Sequence, residues 1–142
     1  MDKLLVAYDG SGSAQVALEF GVDLAKRYGA ELHLLAVVHP PDIAGDVETE
    51  ALLESSQRQF ERLLEDAKTK ATAAGLKPIS SVVIGHPAEQ IVRYAEAEDI
   101  DHIVVGHRGH TLFKRWLIGS VAREVIAYAH CDVTVVRTEQ TQ

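Results

Sequence analysis

A single cysteine, Cys131, occurs in the 142 residues, so no internal disulfide can form and the chain must hold together by its core. Long apolar runs are also missing: no stretch approaches the ~18 residues that a membrane span requires. Positive charge is short, the formal balance being -7, which argues against non-specific binding to nucleic acid. Met1-Asp2-Lys3-Leu4-Leu5-Val6 runs straight into a strand-like segment, with no basic leader and cleavage site before it. These absences together lead to the expectation of a cytoplasmic protein without membrane insertion. No internal repeat or low-complexity tract is present. The expectation is therefore one domain over residues 1–142, with a flexible tail from about 137.

What the chain does have is a 46% apolar share distributed with two periods. Five short runs are almost continuously apolar, as parallel strands covered on both faces should be. They are Lys3 to Tyr8, Leu32 to Val38, Ser81 to Ile84, His102 to Val105 and Asp132 to Val136. Between them the apolar residues recur at three and four. Ala14, Ala17, Leu18, Gly21, Val22, Ala25 and Tyr28 form one stripe, ended by Gly29. A longer stripe from about Glu48 to Ala74 carries Leu53, Phe60, Leu63, Leu64, Ala67 and Ala71. Pro87 opens a third helix with Ala88, Ile91, Val92 and Ala95, and a fourth from Ser120 carries Val121, Ala122, Val125 and Ile126. This alternation predicts an α/β fold, a doubly wound five-stranded parallel sheet in order 3-2-1-4-5 with helices on both faces. Ligands of such sheets bind where the winding reverses, here outside the ends of the first and fourth strands.

The segment after the fourth strand carries the chemistry. Strand-to-helix loops run about 2–6 residues, and Gly106 to Gly119 is more than twice that. Gly106 would let a ligand approach the backbone, and Gly109 can turn the chain so that amides point inward. Gly119-Ser120 then opens a helix whose free amides and positive dipole end suit an anion. His107-x-x-His110 invites a zinc reading, but no third or fourth ligand follows at a recognisable spacing, and no metal site is assigned. Lys114, Arg115 and Trp116 make one basic-aromatic cluster on an acidic chain, better suited to folding over the site or to a subunit contact than to nucleic acid. Cys131 reads as a small buried hydrophobe.

Gly106-x2-Gly109-x9-Gly119-Ser120 resembles the nucleotide-binding signature of the ATP-binding branch of the universal stress protein family (UspA-like). Ala7-Tyr8-Asp9-Gly10-Ser11 and Leu34-Leu35-Ala36-Val37-Val38 resemble that family's first strand with its acidic turn and its second strand. The resemblance implies an adenine nucleotide α-hydrolase-like fold and bound ATP, ADP or AMP. It implies that Ala7 lies beside the base, Asp9 near ribose and phosphates, and Val37 against the adenine. It further implies that Gly106, Arg108 and Gly109 line the ribose and phosphate path, and that Gly119, Ser120 and Val121 cradle the phosphates. His107 departs from the family pattern, where a small hydroxyl residue is common. Mg²⁺, where present, would be carried by the nucleotide.

The resemblance also implies a homodimer through Val133 to Val136 and a regulatory role toward a protein partner in the stress response. Two alternatives stand beside it: a slow ATPase or adenylate-hydrolysing enzyme on the same fold, and a nucleotide-free structural dimer. Against dedicated catalysis, no Walker lysine follows a GxxxxG, and Asp9-Gly10-Ser11 does not match a pyrophosphate loop of the SGGxDS type. No residue stands out as a general base for an in-line water. Weak hydrolysis at most is expected.

Overall fold

The computed structural model describes residues 1–40, 47–107 and 119–138. Five strands, β1 (Lys3–Ala7), β2 (Glu31–Val38), β3 (Ile79–Ile84), β4 (His102–Gly106) and β5 (Asp132–Val136), alternate with four helices. The helices are α1 (Gly12–Tyr28), α2 (Val47–Ala73), α3 (Pro87–Ala97) and α4 (Ser120–Tyr128). All strand pairings are parallel and the order is β3-β2-β1-β4-β5, as the alternation of periods predicts. Boundaries shift by a residue or two, the largest change being β3, which starts at Ile79 instead of Ser81.

The central strand explains why the apolar runs are continuous. Successive side chains of a strand point to opposite faces, and here both faces are covered. Leu4 and Val6 join Ala17, Leu18 and Ala25 of α1 with Leu64, Ala67 and Ala71 of α2. Leu5 joins Ile91 and Ala95 of α3 with Ala122 and Val125 of α4. Gly21 lets α1 lie close on β1, since a Cβ there would stand 2.4 Å from Val6 Cγ2. Gly29, at φ 64°, ends α1 by returning its N–H to the Ala25 carbonyl.

Two stripe residues differ from expectation. Tyr28 is 60% exposed, lying a turn beyond Ala25, the last buried residue of α1, and Ile126 is 50% exposed on the short α4. The strands β3 and β5 are half-buried because they are the sheet's two edges. Among the described residues no helix is long and apolar enough to cross a membrane.

One polar arrangement sits inside the second core. His33 of β2 is 2% exposed, its Nδ1 lying 2.7 Å from the Tyr94 hydroxyl and its Nε2 3.2 Å from Glu31 Oε2. Burial raises the Tyr94 phenol above its ordinary range; the hydrogen bond with Ser81 opposes this, while Glu98 and Glu31 reinforce it. Tyr94→Phe removes the hydroxyl and strands a buried ring nitrogen. The expected cost is about 1–3 kcal/mol, read as a lower urea midpoint at unchanged m-value.

Candidate functional site

The end of β1 is built by short-range hydrogen bonds. The Tyr8 N–H still donates to the Leu35 carbonyl at 2.8 Å, after which the chain leaves the sheet. Asp9 Oδ1 accepts from the Ser11 N–H at 2.9 Å, and Ser11 Oγ accepts from the Ala14 N–H at 3.1 Å, capping α1. Gly10 turns at φ +80°, where a Cβ would lie 3.0 Å from Leu63 Cδ1. Ser11-Gly12-Ser13 is thus absorbed into the cap and first turn of α1.

Gly106 ends β4 beside that turn. A Cβ on it would stand 2.5 Å from Ser13 Oγ and 2.8 Å from the Ser13 carbonyl carbon and oxygen. The missing side chain therefore lets α1 pack on β4, and Gly106 also lines the cleft described below. His107 follows, 1% exposed, its N–H donating to the Val136 carbonyl at 2.9 Å. Its own carbonyl accepts from the Gly119 N–H at 2.7 Å, which holds the exit of β4 against the entrance of α4.

Gly119 is the buried N-cap of α4, at φ -62° and ψ 156°, and supplies no side-chain cap. The first intrahelical bond of α4 runs from Arg123 N to Gly119 O at 3.1 Å. The amides of Ser120, Val121 and Ala122 precede it, and such first-turn donors have no partner within their own helix. The Gly119 N–H is engaged by His107, so the first-turn donors left over by the helix itself are those of the three residues after it.

These elements surround a cleft of about 410 Å³ at the carboxyl ends of β1, β2 and β4, within the usual range of small-molecule sites, roughly 300–1,000 Å³. Ala7, Asp9, Val37, Gly106, Gly119, Ser120 and Val121 all line it. The other two residues nominated from sequence, Arg108 and Gly109, lie outside the described residues, as do His110, Lys114, Arg115 and Trp116. Sequence reasoning missed the contributions of Tyr8, His39, Ser56 and Pro87 as lining residues and assigned Phe60 and Ile91 to plain core. Their common signal is position: His39 and Pro87 follow the carboxyl ends of β2 and β3, and Phe60 lies on α2, which packs over those strands.

Val37, Ile91 and Val105 line the cleft with apolar side chains on the sheet face that α4 covers, Phe60 of α2 adds another from the other face, and the first turn of α4 lines it too. Asp9 is the one acidic group among the described lining residues, and no lysine or arginine is among them. An anion here would rest on backbone N–H groups and the α4 dipole. Burial pushes the Tyr8 phenol up, with Asp66 and Asp9 adding to it, so Tyr8 stays a neutral hydroxyl. Burial likewise raises the Cys131 thiol, reinforced by Asp132 and Asp101, which disfavours the reactive thiolate. A second groove of about 560 Å³ lies between α2 and β3, lined by Arg58, Glu61, Arg62 and Glu65 beside Ser80, Ser81 and Val82. It sits at a sheet edge, away from the reversal of winding, and its mixed charges favour no single ligand.

Fold and cleft define a doubly wound α/β domain with a cleft at the switch point. The chain belongs to the Universal stress protein family, which matches residues 1–137. It is 34% identical over 146 residues to the universal stress protein YxiE of Bacillus subtilis, covering 96% of this chain and 99% of the relative. Its structure is similar to UspA of Lactobacillus plantarum, with a TM-score of 0.89, 26% identity, and coverage of 96% and 97% of the two chains. It is also similar to a universal stress protein solved in complex with cAMP, with a TM-score of 0.77, 25% identity, and coverage of 97% and 98%.

Proposed function

We propose that the cleft binds an adenine nucleotide, ATP foremost with ADP or AMP as alternatives, and that the protein is a regulatory binding module of the stress response in the cytoplasm. The observation that carries this reading is the first turn of α4. Ser120, Val121 and Ala122 bring three first-turn amides to a cleft that Val37, Ile91 and Val105 also line with apolar side chains. Phosphate suits the first and a purine the second. The related universal stress protein that holds cAMP lends support from the same fold. With Asp9 as the one described carboxylate in the cleft, Mg²⁺ fits best as an ion carried in on phosphate oxygens. Arg108 and Gly109 would complete the phosphate path.

Regulation would follow from linkage: a nucleotide shifts a loop or dimer equilibrium only by its differential affinity for the two states. The edge strand β5, through Val133 to Val136, is the proposed homodimer contact, since a second copy would cover its open side. Calorimetry on nucleotide-stripped protein with ATP, ADP, AMP and cAMP tests the reading. Saturable uptake of at least one adenine nucleotide is expected, and an adenine nucleotide mass should accompany the purified protein in native mass spectrometry. No heat with any purine nucleotide at millimolar concentration would overturn it.

A further inference from the structure

The ends of β2 and β3 hold two exposed imidazoles against each other. The last paired residues of these strands are Val38 and Ile84, and the Gly85 N–H donates to the Val38 carbonyl at 2.9 Å. His39 follows at once on one side and His86 on the other. His86 is the N-cap of α3, yet its ring makes no capping bond to the helix. Instead its Nδ1 stands 3.2 Å from Nε2 of His39, the ring centroids are 5.0 Å apart and the planes cross at 62°. Two side chains distant in sequence are thus set by a rigid strand pair, at the rim of the cleft that His39 and Pro87 line.

The distances fit one chemistry closely. Two imidazole nitrogens bound at about 2.0–2.1 Å to one tetrahedral ion stand about 3.3 Å apart, and their ring centres about 5 Å. A linear N–H···N hydrogen bond of the same length would hold the ring centres about 5.5 Å apart. The observed pair is bent off that line by about the amount two ligands of a shared ion require. We infer that His39 Nε2 and His86 Nδ1 form a binding site for a divalent late transition ion, zinc foremost, at the mouth of the cleft. Neutral imidazole suits zinc, copper and nickel better than calcium or magnesium. Among the described residues no group of three or more His, Cys, Asp or Glu could hold a metal ion, so the described part of the site is these two imidazoles.

Zinc chloride titrated calorimetrically into the full chain, freed of nucleotide and chelated metals, provides the test. One ion per chain is expected, with affinity at least tenfold lower in His39→Ala and in His86→Ala and unchanged in the surface control His130→Ala. Long-range ¹H–¹⁵N spectra of the wild-type protein should show zinc shifting the ring nitrogens of His39 and His86 before any other histidine. Equal affinity in wild type and both alanine variants, first shifts at another histidine, or no zinc uptake would overturn the inference. No nucleotide enters the experiment, so its failure is separate from failure of the nucleotide reading.

Discussion

Gly106→Ala is expected to destabilise the protein by about 3 kcal/mol, in the upper part of the range for forcing a methyl group into a packed interior. The new Cβ would meet the carbonyl carbon and oxygen of Ser13 at 2.8 Å. Those are backbone atoms in the first turn of α1, anchored by the Ser11 cap, and cannot rotate aside as a side chain would. Relief requires α1 to move off β4, which also disturbs Asp9 and Ala14 in the cleft. Urea unfolding should therefore show a large drop in midpoint, and Ser13→Ala in the same chain should restore little, because removing Oγ leaves the backbone contact. A loss below about 0.5 kcal/mol would mean that the helix and strand are not in the contact described.

Ser120→Pro is the complementary change, expected to leave stability nearly intact while lowering nucleotide affinity ten- to hundredfold. Proline is favoured at the first position of a helix, where its missing N–H has no partner within the helix. The residue before a proline must be extended, and Gly119 already is, at φ -62° and ψ 156°. What disappears is one amide donor and one hydroxyl at the first turn of α4. A hydrogen bond to a charged group contributes about 1.5–3 kcal/mol, which sets the size of the effect. Calorimetric affinity and thermal midpoint measured on the same samples separate the two quantities. An unchanged affinity in a folded variant would remove the α4 amides from the proposed site.

Legibility from sequence followed the range of the interaction. Sheet order was readable because continuous burial of Leu4-Leu5-Val6 and Leu32 to Val38 marks strands covered on both sides, and the intervening helical periods make every connection a crossover. The α4 entrance was readable because a helix start is written in neighbouring residues, Gly119 and Ser120. The close approach of α1 to Gly106 was not readable. That approach depends on which helix crosses β4, and nothing near Gly106 in sequence refers to Ser13. His33 read as a plain strand residue because its partner Tyr94 lies on another element. The His39–His86 pair escaped notice likewise, its members being 47 positions apart.

The bond between the His107 carbonyl and the Gly119 amide has an evolutionary consequence. That bond fixes the exit of β4 and the entrance of α4 against each other from the described residues alone. For a flexible loop between fixed ends, each doubling of length costs only about 0.6 kcal/mol in closure entropy. Lineages can therefore lengthen, shorten or rewrite the sequence between those two ends while the first-turn amides of α4 keep their places.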